Sequence, residues 1–506
     1  MLMKLAFASA IIALLAPATA TAQGSFGTLV VIEAGPVPSG PSPLSAQTPA
    51  EWRFVELVYA PLFSLNAMGT PAPYLAEKVE VQDGGKRIVV SLKDAAKWSI
   101  GKDVGPLDVV YTYRLAKEGK WNNAWVDLLR PLKSVERASN GFDIVFELAV
   151  PMARPEALLT VPIIPSGLHG PLDAPDRQRP LPLGAIGAGP YKPASEQNNW
   201  QLVVNEHALR KPRISEIRFL SAGSRRLAAD YVRLMGDAVT FDVAPEDAAL
   251  LEGEFGAKVI TTDRKRLVGL AFDPKASALG DPIVRSAFEH LIRRSELFVT
   301  GESARSGAAP VGRRSSEYPR TFKAPAFDPV EAERMLWWKG GWQREPHQPW
   351  FVRTKDNGST EELAFSILVD TDDRPSMRRA FVLRERARRA GVKLRLDPRP
   401  RLEFDSRVRS REFPAALVSL DLPTNGSLRP LFHSEGGDNV LKYKDADVDN
   451  ALNVGNTKRA AALLAEKRPM LFLGITRDVG VAGRNVTIPG LAGRGGMERV
   501  HKWRIR

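Results

Sequence analysis

Apolar positions fall into short blocks whose spacing changes along the chain. Past an N-terminal apolar run, Thr28-Leu29-Val30-Val31-Ile32 reads as a buried strand, residues 35–45 as a Gly/Pro/Ser loop, and residues 52–59 as helix. Two hairpins follow. Residues 79–81 and 87–92 flank Asp83-Gly84-Gly85, and residues 135–136 and 144–148 flank Asn140-Gly141, turn residues that tolerate positive φ. Between the hairpins, residues 107–117 have helical spacing, and 121–129 are expected to continue the helical region. The N-terminal third is thus predicted to mix antiparallel sheet with helices.

The pattern differs farther on. Residues 364–369 read as a strand, 376–390 as a helix stopped by Gly391, and 392–396 as a second strand, a β-α-β unit that implies a parallel sheet. A further strand over 415–420 is expected to end at Asp421, before the loop Leu422-Pro423-Thr424-Asn425-Gly426. The predicted fold class is α/β. No solenoid-length repeat interrupts it.

The extreme N-terminus has a separate logic. Met1-Leu2-Met3-Lys4 precedes an apolar stretch over 5–16 and the small residues Ala18-Thr19-Ala20-Thr21-Ala22, the layout of a signal peptide cut before Gln23. The apolar run is shorter than the ~20 residues a membrane span needs. Gln23 stands where a lipoprotein would need cysteine, and the 506-residue chain has none, so the expected product is periplasmic and not lipid-anchored. A 44% hydrophobic fraction suffices for two or three domains with substantial cores. The net charge of +13, or +12 without Lys4, is spread out, with a maximum at Arg384-Glu385-Arg386-Ala387-Arg388-Arg389. Stacking aromatics are not interleaved there, so a solvated helix face is expected and nucleic acid is not a predicted partner.

Enzyme constellations are missing. No cysteine nucleophile, Gly-x-Ser-x-Gly elbow, phosphate-binding Gly-rich loop or His-Glu-x-x-His helix is present. The histidines His169, His207, His290, His347, His433 and His501 lack metal-ligand spacing, so no metal and no cofactor is expected. Glycines over 184–189 lead into Pro190-Tyr191 and not into a helix, which removes a dinucleotide reading. Asp372-Asp373 reads as a pair of solvated turn residues.

Taken in order, several runs resemble the family 5 extracellular solute-binding proteins of ABC transporters, the group with dipeptide-, oligopeptide- and nickel-binding members. They are Val58-Tyr59-Ala60-Pro61-Leu62-Phe63 with Ala72-Pro73-Tyr74-Leu75-Ala76-Glu77, and then Asp83-Gly84-Gly85-Lys86 through Lys97-Trp98-Ser99, Gly101 and Asp108-Val109-Val110-Tyr111. Gly187-Ala188-Gly189-Pro190-Tyr191, Val284-Arg285-Ser286-Ala287-Phe288 through Ser295-Glu296-Leu297, and Phe327-Asp328-Pro329 to Gly340-Gly341-Trp342 continue the series. Ile100 and Arg293 stand where the family usually has Asp. Physically, Trp98 and Tyr191 read as packing aromatics, Gly187 and Gly189 as tight-turn residues, and Asp108 as a helix N-terminal carboxylate.

The resemblance implies two lobes, with an extra subdomain in the first, that close as a hinge over a ligand and present it to a permease. Residues 23–267 and 472–506 would form one lobe and 268–471 the other, with crossovers near 266–271 and 471–476. A monomer is expected. Asp421 is the main site candidate, because Leu420-Asp421-Leu422-Pro423-Thr424 is similar to the segment whose Asp pairs with a peptide's ammonium in peptide-binding members. A turn-capping Asp is the alternative. Ser419 and Leu420 replace the family's aromatic. Leu420, Asn425, Arg429 and His433 accompany it as ligand-binding candidates, the last two able to meet an anionic ligand end or to cap Pro430-Leu431-Phe432. Trp121 and Trp125 could line the cleft or pack inside. The ligand is expected to be a peptide or peptide-like solute. The alternatives are an opine, sugar or metal chelate, and, from other classes, a secreted hydrolase or a structural partner protein.

Overall fold

Strand β1 (Thr28–Glu33) is apolar from 29 to 32 and is buried on both edges, running parallel to two neighbours as all-apolar strands do. The computed structural model that shows this describes residues 27–38, 40–66, 70–118, 125–126, 128–152, 155–170, 185–195, 198–298, 304–313, 315, 317–345, 347–355, 357–423, 427–491 and 495–506. Helix α1 (Pro49–Val58) starts where Thr48 and Glu51 form a reciprocal capping box and Pro49 presets the first turn. The first hairpin pairs β2 (Ala76–Gln82) with β3 (Arg87–Leu92) around a tight turn in which Asp83, Gly84 and Gly85 all have positive φ. Helix α2 (Pro106–Lys117) follows, and β4 (Leu132–Arg137) with β5 (Ile144–Leu148) completes a four-stranded antiparallel sheet in the order β2-β3-β5-β4. The predicted continuation of α2 lies largely outside the described residues. Residues 128–130 form a turn.

The chain then returns to the main sheet through β6 (Tyr191–Ser195), β7 (Asn198–Val204) and β8 (Glu216–Ser221), helix α3 (Arg225–Leu234), β9 (Ala238–Thr240) and helix α4 (Pro245–Phe255). Strand β10 (Lys258–Phe272) is 15 residues long and carries the chain out of this region. Beyond it, β11 (Ala364–Asp370), helix α5 (Arg374–Arg389) and β12 (Lys393–Arg399) form the predicted parallel β-α-β unit, with Gly391 at φ +79° after the helix. Strand β13 (Ala415–Leu422), helix α6 (Ala446–Asn453) and β14 (Met470–Ala482) follow, and β14 brings the chain back. One sheet results, ordered β12-β11-β13-β10-β14-β9-β1-β8-β7-β6, with the short strand Ala304–Ser306 also on β14.

The long antiparallel pair β10 and β14 is the seam. Buried apolar clusters on one side draw on residues 29–257 and 479–505, and those on the other on residues 267–473 and 309–465, without mixing. The pairing register shifts between Thr261 and Lys265 and again between Val268 and Gly269. At Gly269 a Cβ would lie 2.0 Å from Met470 Cε and 3.0 Å from the Leu471 carbonyl oxygen, so glycine leaves room for the Met470 side chain over the seam.

Three motif residues act on packing. An added Cβ on Gly187 would lie 1.8 Å from the Val58 carbonyl oxygen, and the Gly189 N–H donates to that same oxygen at 2.8 Å. Their φ angles are negative-region values, so close approach to the end of α1, and not the expected turn strain, explains these glycines. Asp108 sits at the third position of α2, where Oδ2 accepts from Gly105 N–H at 2.9 Å and Oδ1 from Ser166 N–H at 2.7 Å. No helix among the described residues is long and apolar enough to cross a membrane.

Candidate functional site

The seam places charge where the two halves meet. In β10, Arg266 is registered opposite Asp421 of β13 on one side and Thr476 of β14 on the other. Its guanidinium lies 2.9 Å from Asp478 Oδ1, 3.7 Å from Asp421 Oδ1 and 3.9 Å from Asp242 Oδ2, the last carboxylate coming from the loop after β9. Burial disfavours the charge on Arg266, but Asp478, then Asp242, Asp421 and Asp373 outweigh it and raise the guanidinium above its usual range. Arg225, at the start of α3, adds a second cation, with Nε donating to Asp242 at 2.9 Å and Nη1 to Asp373 at 3.3 Å. Carboxylates from both halves thus converge on two arginines.

Asp421 is placed differently from the expectation in two respects. The strand continues through it to Leu422, and its carboxylate is 55% exposed and ion-paired with Arg266, so it is not a desolvated strand-end group here. Its neighbour Leu420 is partly buried against the apolar cluster beneath β13, in register with Leu267. Asn425 lies outside the described residues, as does Trp121.

Arg429 and His433 are interior residues, 5% and 4% exposed. The Arg429 Nη2 group lies 3.3 Å from His433 Nδ1, and the His433 N–H closes the short helix Arg429–Phe432 onto the Arg429 carbonyl at 3.0 Å. The Glu435 N–H donates to Nδ1 at 3.0 Å, and Nε2 lies 3.0 Å from Asn453 Oδ1 and 3.4 Å from Arg429 Nη2. The His433 N–H thus caps the helix that holds Pro430-Leu431-Phe432. Trp125 is also interior: it is 5% exposed, donates from Nε1 to the Pro43 carbonyl at 3.1 Å and meets Trp52 edge-on at 5.5 Å.

Sequence reasoning named Arg266 only as a crossover position and missed Arg225, Asp242 and Asp478. It read Asp373 as solvated, whereas Asp373 is 8% exposed and accepts from Ser376 Oγ at 2.6 Å. Strand register and helix placement bring these groups together, and neither leaves a local spacing signal. Among the described residues, no group of three or more His, Cys, Asp or Glu side chains could hold a metal ion.

Polar groups from two halves of one sheet, joined by two crossing strands, make a two-lobed arrangement, and the comparisons agree with it. A family profile described as bacterial extracellular solute-binding proteins, family 5 middle, matches residues 70–439. The oligopeptide-binding protein AppA of Bacillus subtilis is 23% identical over 435 residues, 79% of this chain and 77% of that protein. Its structure in complex with a nonapeptide superimposes with a TM-score of 0.75 at 20% identity, covering 96% of this chain and 100% of that one. NikZ from Campylobacter jejuni in complex with Ni(L-His) gives 0.76 at 19% identity over 94% and 99% of the two chains. AgaA in complex with agropinic acid, from A. tumefaciens R10, gives 0.69 at 17% identity over 95% and 99%. These are binding proteins and not enzymes, and they share the two-lobed α/β fold. This chain belongs to the family 5 extracellular solute-binding proteins.

Proposed function

We propose that this chain is the substrate-binding subunit of an ABC importer, capturing a peptide or peptide-like solute between its lobes and delivering it to a membrane permease. The observation that supports this most directly is the convergence of Asp421 and Asp242, from opposite sides of the seam, on Arg266. A solute with an ammonium group entering there would meet a half-exposed carboxylate in a region that closure would dry, which strengthens a charge-assisted hydrogen bond. Leu420 and Asn425 flank that carboxylate in sequence and complete the proposed contact set. The nonapeptide bound to the B. subtilis AppA structure supports the peptide reading.

A second reading has its own support. Arg266 already neutralises part of the Asp421 charge, and Ser419-Leu420 replaces an aromatic, so a non-peptide solute such as an opine, sugar or metal chelate is the alternative. AgaA and NikZ are reported with ligands of that kind.

The lobes are assigned as residues 23–267 with 472–506, and 268–471. Support comes from the apolar clusters, whose membership changes between residues 260 and 267 and between 475 and 479, within a few residues of those bounds, with Leu267 and Phe472 to Ile475 packing on the second lobe's side. Export by cleavage after Ala22, leaving Gln23 with no cysteine to acylate, and a monomeric working state complete the proposal.

Thermal-shift screening of the purified mature protein against dipeptides, tripeptides, opines, sugars and nickel-histidine tests the reading. A bound solute stabilises as RT ln(1 + [L]/Kd), so one class should raise the melting temperature saturably. Stabilisation by sugars or chelates alone would replace the peptide reading with the second.

A further inference from the structure

Helix α5 begins with its charges the wrong way round. Its first turn holds no acidic residue, and Arg374 at the first position is followed one turn later by Arg378 on the same face. Cations at a helix N-terminus oppose the helix dipole, so this arrangement is locally unfavourable. The compensation lies across the seam. Arg378 Nη1 donates to Glu246 Oε1 at 2.7 Å, and Arg374 Nη1 lies 3.6 Å from Asp247 Oδ2. Glu246 and Asp247 form the acidic first turn of α4, which belongs to the other half of the molecule. Arg225 makes a third link from that half, to Asp373, the residue that precedes α5.

Among the described residues, the two halves share no buried apolar cluster away from the crossing strands, and the contacts between α4 and the start of α5 named above are polar. The participating side chains are also partly exposed, Glu246 at 49%, Arg374 at 55% and Arg378 at 27%. Such pairs are weak singly, screened by salt and readily broken, unlike a packed apolar contact. A contact of that kind suits a joint that must open and close.

We propose that Arg374, Arg378 and Arg225 with Glu246, Asp247 and Asp373 form an electrostatic latch between the first turns of α5 and α4, made when the lobes come together and broken when they part. The latch sets how much of the unliganded protein is already closed, and hence how much of a solute's binding energy goes into closure. It goes beyond the importer reading and depends on no particular solute.

The chain has no cysteine, so two can be introduced for fluorophores at exposed positions on either side, Phe142→Cys and Leu402→Cys, 80% and 86% exposed. Energy transfer is read on the solute-free mature protein at about 0.01 M and about 1 M salt, between which the screening length falls from ~30 to ~3 Å. The latch predicts lower transfer at high salt, with the closed-to-open ratio falling about five-fold. The Arg374→Glu, Arg378→Glu double variant should show the low-transfer state at low salt. Arg378→Glu alone should lower transfer in part, and pairing it with Glu246→Arg should recover it. Transfer unchanged by salt and by the double variant would overturn the proposal, as would a correctly folded swap, judged by circular dichroism, that recovers nothing. The salt titration of the labelled parent, which carries only the two introduced cysteines, stands even if a charge variant misfolds. Failure of every solute screen would leave this result untouched, which separates the two proposals.

Discussion

Glu56 shows what a single buried carboxylate does here. Its two oxygens accept the N–H groups of Gly495 and Met497 at 2.6 and 2.7 Å, tying α1 to the C-terminal segment. Burial, then the nearby Glu498 charge, pushes its pKa up to about 8 despite those two bonds. A folded pKa above the unfolded value of 4.5 means a contribution fully present below about 4.5 and lost as pH rises through about 8. Urea unfolding should therefore show a few kcal/mol less stability at pH 8.5 than at pH 5, on the order expected for a shift of this size. In Glu56→Gln that slope should flatten; an equal slope in the variant would assign the pH dependence elsewhere. Gly187 offers a second test at this scale. Gly187→Ala forces a Cβ into the Val58 carbonyl and should cost about 1–3 kcal/mol in the same experiment, whereas Gly84→Ala meets no neighbouring atom within 4 Å and pays only for its φ of +62°.

At the scale of elements, the crossing strands carry the account. Arg266 is 14% exposed and Asp478 9%, so removing the cation takes a charge-assisted partner from a buried carboxylate. Arg266→Met should lower stability by about 3 kcal/mol in urea unfolding. By contrast, Asp421→Asn alters a half-exposed group and should leave unfolding within about 0.5 kcal/mol of the parent, while weakening an aminated solute about ten-fold or more in calorimetric titration. Unchanged affinity would remove Asp421 from the ammonium role. The elements themselves were legible: β1, α1, both hairpins and the β-α-β unit follow from apolar spacing, turn residues and caps, which are local properties. The site was legible only in part. Asp421 stood out through its strand and a resemblance, but its pairing with Arg266 depends on register between strands about 150 residues apart, and the Asp242, Asp373 and Arg225 contacts depend on how helices pack. For Trp125 and His433 the sequence left an interior and a ligand-facing role both open, because aromatic and polar side chains give the same sequence signal whether they face solvent or a buried partner.

Among the described residues, the buried apolar clusters stop at the seam and polar contacts cross it, including Arg130 Nη1 to Asn453 Oδ1 at 3.3 Å. That division makes relative motion of the halves the physical expectation, and a solute touching both would shift the population toward closure. The most direct test of the binding account is equilibrium dialysis of the purified mature protein against a mixture of short peptides and small polar solutes, with the retained molecules identified by mass spectrometry. The account predicts one class of solute retained at one molecule per chain with its mass unchanged. Retention of cleaved products, or turnover of the mixture without retention, would contradict it.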